Sequence, residues 1–515
     1  MYKILSKIGN MLFHRLGIAA ALVIAQIALY TAGLIVLRDS PYFKPFEWVF
    51  LVLSVFAAAW IVGNKSNPGY KIGWIIIVLG LMPFGSLAYL LLGGNHLSAF
   101  NQRRLRTMER KIRKNLGTEC GRSASLGELM GENAARMAGY LEQTVCCPVY
   151  GNTSTKYYPL GDVCYDDILE ALRGAERYIF IEYFIIEEGK LWNSVLDILQ
   201  EKARQGIEVR VIYDDIGSIA TLPSDYPSRL EQLGVHCRVF FRVMPVVSLR
   251  QNNRDHRKYM IIDGRVAFTG GINMADEYIN VKPRFGHWKD SAIRLEGDAV
   301  WSMTVSFLAM WDFTNSEEEH FTPFRPEPAR SGALGYVQPY HDCPWDNEAV
   351  GQSVYLNLIY RAQRYVYITT PYLAVDYSLT MALTTAAKSG VDVRIITPHI
   401  PDKKTVFELT RSHYEELLEA GVQIFEYEPG FIHAKNFVVD DLWATVGTVN
   451  LDYRSMFLHF ENGVLLYGTP SVEDIREDFL DTQTKSLLVT LEDCRAISLP
   501  HRMLRDLLRL FAPLL

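Results

Sequence analysis

The sequence predicts an α/β protein of two lobes with mainly parallel sheets, related by pseudo-twofold symmetry and preceded by N-terminal transmembrane helices. Three observations predict this fold. Three long apolar stretches open the chain of 515 residues, a strand and helix pattern occurs twice after about residue 130, and short β-branched runs alternate with helical segments in both copies. We therefore expect a membrane anchor over residues 1–100, a basic linker over 101–129, and lobes over 130–328 and 329–515.

The anchor is predicted from three apolar stretches, at residues 16–37, 46–63 and 72–93. Each is about as long as the ~20 residues that a helix needs to cross a bilayer, and the first and third contain no charged residue. Since uncharged runs of this length are rare in soluble folds, we expect two to three transmembrane helices in a multi-pass protein of the cell membrane. Pro83 leaves open a re-entrant third stretch with a broken helix.

Basic residues flank the anchor on both sides. Three precede the first stretch and seven follow the third: Lys3, Lys7 and Arg15, then Arg103, Arg104, Arg106, Arg110, Lys111, Arg113 and Lys114. With three crossings, the positive-inside rule places the larger cluster and the two lobes in the cytoplasm. The same run could also lie along anionic headgroups or form an ordinary solvated helix face.

Charge and cysteine content exclude several classes of protein. The formal net charge is -6, so no global positive field favours nucleic acid as a partner. The seven cysteines form an odd number without C-x-x-C spacing, which argues against a disulfide framework and against a zinc knuckle. A reducing compartment is the simplest interpretation, and the oligomeric state is not determined by the sequence.

The lobes are predicted from an internal repeat. The first copy begins AERYIFIEYFI at Ala175 and ends DHRKYMIIDGRVAFTGGIN; the second begins AQRYVYITTPYL at Ala362 and ends IHAKNFVVDDLWATVGTVN. Strands separated by helices indicate βαβ units with right-handed crossovers, hence the expected parallel sheets. A duplicated scaffold can be purely architectural, so the repeat bears on function only through the residues at equivalent positions.

Both copies carry the same polar motif, H-x-K-x4-D, with an asparagine seventeen residues after the histidine. The members are His256, Lys258, Asp263 and Asn273 in the first copy, and His433, Lys435, Asp440 and Asn450 in the second. One such motif is weak evidence, but two in matched register are not a coincidence. Residues alternate along a strand, so the histidine and the lysine project from one face and can reach one ligand.

This set of residues suits phosphoryl transfer. Two lysines and two asparagines can surround one phosphate, while one imidazole attacks phosphorus and the other protonates the departing oxygen. A covalent phosphohistidine results, and the second imidazole then takes a proton from the incoming alcohol. We expect no metal and no other cofactor to be required. Each histidine still needs an acceptor that fixes its tautomer, and Asp290 and Glu461 are candidates, although either could be a structural carboxylate.

At this point the chain resembles the phospholipase D superfamily, and within it the cardiolipin synthases. The resemblance is carried by both motifs, by FGHWKDSAIRLEGDAV, ITTPYL and FLHFEN, by the ending LLRLFAPLL and by GWIIIVLGLMPFGSLAYLLLG in the anchor. It implies that His256 and His433 form the catalytic pair with His256 as the nucleophile. It further implies that the phosphate ligands are Lys258, Lys435, Asn273 and Asn450. The supporting carboxylates are then Asp290 and Glu461, and the motif aspartates Asp263 and Asp440 have a role that is more structural than chemical.

Two features depart from the family pattern. Thr448 stands where a glycine or serine is commoner, and the stretch at residues 16–37 precedes the expected anchor. The threonine hardly threatens activity, whereas the extra stretch puts the topology in doubt.

The resemblance implies a cardiolipin synthase that moves a phosphatidyl group from one phosphatidylglycerol to another, with phosphatidylglycerol and membrane lipids as its partners. The alternatives are a hydrolytic phospholipase D and a synthase that uses phosphatidylethanolamine as donor. The apolar stretches argue against a nuclease, and two intact motifs argue against a non-catalytic lipid-binding scaffold.

Overall fold

The computed structural model describes residues 28, 31–32, 35–36, 40, 43–64, 67–80, 89, 99–243, 252–314, 319–328 and 332–514. The chain forms two compact units. One comprises residues 98–240 and 254–509, and the other comprises 1–97, 241–253 and 510–515. Both sheets and both motifs belong to the larger unit, so their mutual arrangement is defined.

The smaller unit contains helices α1 (Phe43–Gly63) and α2 (Pro68–Gly80). They pack through a small apolar core of Ile61, Trp74 and Val78, with Tyr89 edge-on to Trp74 at 5.3 Å between ring centroids. Among the described residues, no helix is both long enough and apolar enough to span a bilayer. Most of the predicted stretch at 16–37 and the second half of that at 72–93 lie outside the described residues, so the transmembrane helices stay a prediction.

The larger unit begins with helices α3 (Ala99–Leu116), α4 (Ser123–Met130) and α5 (Glu132–Val145). The predicted basic linker is therefore largely helical. Two of its basic residues make contacts within the larger unit. Lys111 forms an ion pair with Asp312, and the Arg104 guanidinium lies 5.1 Å from the ring centre of Phe313.

The first lobe follows. Its elements are β1 (Thr153–Tyr158), α6 (Gly161–Arg173), β2 (Tyr178–Tyr183), α7 (Lys190–Arg204), β3 (Glu208–Asp214), α8 (Asp215–Ser218), α9 (Tyr226–Gln232), β4 (His236–Phe240), β5 (Arg254–Asp255), β6 (Tyr259–Ile262), β7 (Val266–Gly270), β8 (His287–Lys289), β9 (Ala292–Gly297) and α10 (Val300–Thr314). Short 3-10 turns lie at Asp276–Ile279 and Thr322–Phe324. Seven strands form a sheet in the order β1-β9-β7-β6-β2-β3-β4.

The second lobe repeats this order. Its elements are β10 (Tyr336–Asp342), α11 (Val350–Arg361), β11 (Tyr365–Thr369), β12 (Leu373–Ala374), α12 (Tyr377–Lys388), β13 (Asp392–Pro398), α13 (Lys404–Ser412), α14 (Tyr414–Glu419), β14 (Gln423–Tyr427), β15 (Gly430–Ile432), β16 (Asn436–Val439), β17 (Trp443–Gly447), β18 (Leu451–Asp452), α15 (Tyr453–Phe457), β19 (His459–Tyr467), α16 (Pro470–Thr484), β20 (Ser486–Leu488), α17 (Leu491–Arg495) and α18 (Leu499–Phe511). The sheet runs β10-β19-β17-β16-β11-β13-β14-β20, and a 3-10 turn at Ala512–Leu514 ends the described chain.

The prediction of mainly parallel sheets is wrong, because both sheets are mixed. Along the strand order of the two sheets given above, only β2-β3-β4 and β11-β13-β14 are parallel neighbours, while the motif strands pair antiparallel with both of their neighbours. The reason is a tight hairpin directly after each motif. Asp263 and Gly264 have φ of 54° and 66°, and Asp440 and Asp441 have φ of 56° and 61°, as a type I′ turn requires. The Asp-Gly pair in the first copy is a hairpin signal that outweighs the βαβ pattern.

The motif strands, β6 and β16, are buried together with neighbouring strands of their sheets. Every residue of β2, β6, β16 and β17 is buried, and α10 is buried along nearly its whole length because it contacts both β6 and β10. Each lobe has its own apolar core. The motif side chains therefore start from rigid, dry strands, which suits precise chemistry.

Candidate active site

In each lobe, the short strand before the histidine pairs with a strand of the opposite lobe. Strand β5 pairs in parallel with β19, and β15 pairs in parallel with β8. The exchange continues into the motifs, because the His256 amide donates to the Phe460 carbonyl at 2.9 Å and the His433 amide donates to the Lys289 carbonyl at 2.7 Å. Backbone register thus places each histidine beside the next residue of the opposite lobe, Glu461 or Asp290.

Both of those residues are carboxylates that contact the histidine. His256 Nδ1 lies 2.9 Å from both oxygens of Glu461, and His433 Nδ1 lies 2.7 Å from Asp290 Oδ2. Neither carboxylate has any exposed surface. A neutral imidazole that donates its Nδ1 proton keeps the Nε2 lone pair free, so each carboxylate fixes the tautomer and the ring orientation. The sequence predicted these two carboxylates but not that each would serve the other lobe's histidine.

Thr448 explains why one support is glutamate and the other aspartate. The Thr448 hydroxyl donates to Glu461, and its backbone amide donates to the carbonyl of Asn462 at 2.9 Å. The equivalent position in the first lobe is Gly271, where a Cβ atom would lie only 2.1 Å from Asp290 Oδ1. Glycine therefore makes room for the aspartate, whereas the threonine holds the longer glutamate.

The two lysines fold back onto their own histidines. Lys258 Nζ donates to the His256 carbonyl at 2.8 Å, and Lys435 Nζ donates to the His433 carbonyl. Lys435 Nζ also lies 2.7 Å from His433 Nδ1. Because Nδ1 cannot both donate to Asp290 and accept from Lys435, we assign a proton to His433 Nδ1, which donates to Asp290, while Lys435 donates to the His433 carbonyl.

Burial and the opposite motif both act on the charges of the site. Burial first, then Lys258, Lys435 and His433, lower the pKa of His256 well below its usual value. Burial lowers the pKa of Lys258 to about 8 and that of Lys435 to about 7. For His433, burial and then the two lysines lower the pKa well below its usual value. The lysine of each motif thus lowers the pKa of the histidine in the other motif, and both imidazoles are neutral at pH 7.

Asp290 responds to burial in the opposite direction. Burial raises its pKa to about 7, while the nearby Lys435 acts to lower it. Together with the two lysines, this carboxyl titrates near neutral pH. A bound phosphodiester would bring a negative charge into the same space, which favours protonated lysine and protonated histidine.

The predicted phosphate-binding asparagines are buried next to the motifs but bonded to the protein. Asn273 donates to the Tyr278 hydroxyl at 2.7 Å and accepts from the Ile185 amide at 3.1 Å. Asn450 donates to Asp452 at 3.2 Å, and its carbonyl oxygen has no hydrogen-bond partner among the described residues. Their role as phosphate ligands stays a prediction.

The motif aspartates lie away from the histidines, so the geometry does not support a chemical role for them. The Asp263 carboxylate accepts from the backbone amides of Glu176, Arg177 and Tyr178 at 2.7–2.8 Å. Asp440 makes the equivalent set of bonds in the second lobe, to the amides of residues 363–365 at 2.7–2.9 Å. Each aspartate therefore ties the motif hairpin to the start of the neighbouring strand.

We expect Asp263→Asn and Asp440→Asn to lower stability rather than turnover. Each change weakens charge-assisted bonds to three amides, for which a loss of about 2–4 kcal/mol in the free energy of unfolding is reasonable. Urea unfolding and the specific activity of the folded fraction check this, with Asp225→Asn at an exposed site as the matched control. A large fall in turnover with an unchanged unfolding midpoint would contradict the structural role.

The motif patterns did not single out the rings that lie next to the histidines, among them Phe184, His459 and Trp288. Phe184 and His459 lie 5.1 Å and 5.5 Å from His256, and Trp288 lies 5.6 Å from His433, measured between ring centroids. Strand alternation could have found two of them. His459 and Trp288 each stand two residues before the supporting carboxylate, on the same face of the chain.

Comparison with known proteins identifies the family of the chain. The family described as "Cardiolipin synthase, PLD-like domain" matches residues 168–282 and 355–482, and residues 52–94 match the phospholipase D-nuclease N-terminal family. "Cardiolipin synthase 2" of Bacillus anthracis is 34% identical over 464 residues, which cover 88% of both chains. The chain belongs to the cardiolipin synthase family. It is a phosphatidyltransferase of the phospholipase D type.

Two further likenesses bear on the extent of the match. The cardiolipin synthase of Alkalihalophilus pseudofirmus is 32% identical over 505 residues, 96% of this chain and 99% of that one. The crystal structure of phosphatidylserine synthase from Haemophilus influenzae superposes with a TM-score of 0.56 at 16% identity, covering 74% of this chain and 99% of that one. The second likeness concerns the fold alone. The family likeness itself extends over nearly the whole length of the chain.

Proposed function

We propose that this protein is a cardiolipin synthase that transfers a phosphatidyl group from one phosphatidylglycerol to another and releases glycerol. The observation that carries the proposal is the pair of buried imidazoles, each held at Nδ1 by a carboxylate of the opposite lobe. The two motifs also influence each other electrostatically. One oriented Nε2 atom is suited to attack phosphorus, and the other is suited to protonate the leaving oxygen.

The first half of the reaction forms a phosphohistidine. His256 Nε2 attacks phosphorus, and the bond between phosphorus and the headgroup glycerol oxygen breaks. The phosphodiester charge raises the pKa of His433, which enters as the imidazolium and gives its proton to that oxygen. Lys258 and Lys435 neutralise the oxygens of phosphorus that do not leave. Free glycerol departs.

The second half of the reaction regenerates the free enzyme. A headgroup hydroxyl of a second phosphatidylglycerol attacks the phosphohistidine while neutral His433 takes its proton. The bond between phosphorus and His256 Nε2 breaks, and cardiolipin is released. Burial of the cluster favours transfer over hydrolysis, because a lipid alcohol then meets little competition from bulk water.

Membrane attachment belongs to the same proposal, since both substrates reside in a bilayer. We propose that residues 1–100 anchor the protein as a multi-pass segment with the lobes in the cytoplasm. Supporting this, α1 exposes large apolar side chains such as Trp48 and Phe56, at 68% and 70% of their surface. Tethering raises the effective concentration of lipid at the site.

A product assay tests the reaction. Full-length protein in phosphatidylglycerol vesicles should convert lipid labelled in the headgroup glycerol and in the acyl chains into labelled cardiolipin and free glycerol in equal amounts. Phosphatidic acid as the main product would instead indicate a hydrolytic phospholipase D. Cardiolipin formed only after phosphatidylethanolamine is added, with release of ethanolamine, would identify that lipid as the donor. Protein with both histidines replaced serves as the blank.

A further inference from the structure

His459 is a buried imidazole that the transfer reaction does not use. It is 8% exposed, and neither ring nitrogen has a hydrogen-bond partner among the described residues. Its Nδ1 lies 3.6 Å from Glu461 Oε1, which is too far for a good hydrogen bond. Buried polar groups are nearly always satisfied, so an imidazole left open beside a carboxylate points to a ligand.

The surroundings of His459 have the composition of a transition-metal site. His256, His459 and Glu461 each offer one ligand atom, and these atoms lie within 4.8 Å of one another. Tetrahedral zinc with bonds of about 2.0–2.2 Å to nitrogen and oxygen needs ligand atoms roughly 3.3 Å apart. The two spacings to Glu461, 2.9 Å from His256 and 3.6 Å from His459, lie on either side of that value.

We propose that His256, His459 and Glu461 bind a divalent transition ion such as Zn²⁺, and that this ion inhibits the enzyme. The ion takes the place of the proton between His256 Nδ1 and Glu461; that proton leaves to solvent, and Nε2 takes one up from solvent, so the imidazole stays neutral. With its lone pair at Nδ1 on the ion and a proton on Nε2, the ring cannot attack phosphorus. Lys258 acts on His256 and opposes a cation, so we expect micromolar rather than nanomolar affinity.

Among the residues that the structure describes, none forms such a site next to His433. Trp288 occupies the position equivalent to His459, two residues before Asp290, and its ring lies 5.6 Å from that of His433. An indole N–H is a donor only and cannot ligate a metal in this way. The asymmetry predicts one inhibitory ion per chain, next to His256. This inference concerns binding and does not depend on which lipid is the substrate.

Zinc titration of the full-length enzyme tests the proposal. Transfer rates at buffered free Zn²⁺ should fall in the micromolar range and recover when a chelator is added. His459→Asn and His459→Phe should each raise the zinc concentration for half inhibition by at least about tenfold, measured against each variant's own uninhibited rate. His236→Asn removes an exposed histidine as the matched control and should leave it unchanged. Absence of inhibition, or equal inhibition in the His459 variants, would overturn the site.

Cobalt binding gives a second readout that needs no turnover. Wild-type protein titrated with Co²⁺ should develop visible absorption bands of a four-coordinate ion at one equivalent per chain, and Zn²⁺ should displace them. The bands should be absent from both His459 variants and present in His236→Asn. If the lipid reaction proposed above failed but the bands behaved in this way, the metal site would stand. Bands that persist without His459 would refute it.

Discussion

His256→Asn should abolish transfer activity, with a fall in kcat of about 10⁴-fold or more, because it removes the nucleophile of the proposed mechanism. His433→Asn should lower kcat by about 10²–10⁴-fold, the usual contribution of a general acid and base. Asparagine keeps a polar contact to each supporting carboxylate, so the fold should persist. His236→Asn, an exposed exchange of the same kind, should retain full activity.

A substrate with a good leaving group separates the two roles. The p-nitrophenyl ester of phosphatidic acid needs no proton on its leaving oxygen, so His433→Asn should still release a burst of about one nitrophenol per site, limited by the slow second half. That protein should then carry an acid-labile phosphohistidine, seen by ³¹P NMR of the denatured chain. His256→Asn should give no burst. The reverse pattern would assign His433 as the nucleophile, and equal wild-type rates in both variants would refute the mechanism.

Glu461→Gln and Asp290→Asn should each lower turnover by about 10²–10⁴-fold, as loss of the orienting carboxylate does in hydrolase triads. Without the charge, the amide no longer selects the Nδ1–H tautomer or stabilises an imidazolium. Glu473→Gln and Asp225→Asn, both at exposed positions, provide controls of the same chemistry. Far-ultraviolet circular dichroism should show that all four proteins are folded.

The crossed pairing predicts which half of the reaction each carboxylate supports. In a His433→Asn background, Asp290→Asn should change the nitrophenol burst little, because its histidine is already gone. Glu461→Gln in the same background should slow the burst by about 10²-fold or more, because it disturbs the nucleophile. If Asp290→Asn slowed the burst and Glu461→Gln did not, each carboxylate would serve the histidine of its own lobe, contrary to the structure.

Part of the fold could be predicted because its signals are local. The repeat, the strands on either side of each motif and the α/β class follow from residues that are neighbours in the chain. The Asp-Gly pair at the end of the first motif also predicts a hairpin, and a hairpin joins antiparallel strands. The βαβ pattern predicts parallel strands throughout, and for this reason the expectation of mainly parallel sheets is wrong. The exchange of β5 and β15 between the lobes has no local signal, because each of these short strands pairs with a strand of the other repeat.

The candidate site divides in the same way. The sequence alone predicted the two histidine and lysine pairs and a chemistry for them, because spacing along a strand fixes which side chains share a face. Only the tertiary structure decided that Glu461 serves His256, 205 residues away, and that Asp290 serves His433, 143 residues away. It also placed the motif aspartates at hairpins and left both ring nitrogens of His459 without a hydrogen-bond partner among the described residues. Contacts at such separations depend on how two folded lobes dock, and docking is a property of packed surfaces that no short pattern of residues records.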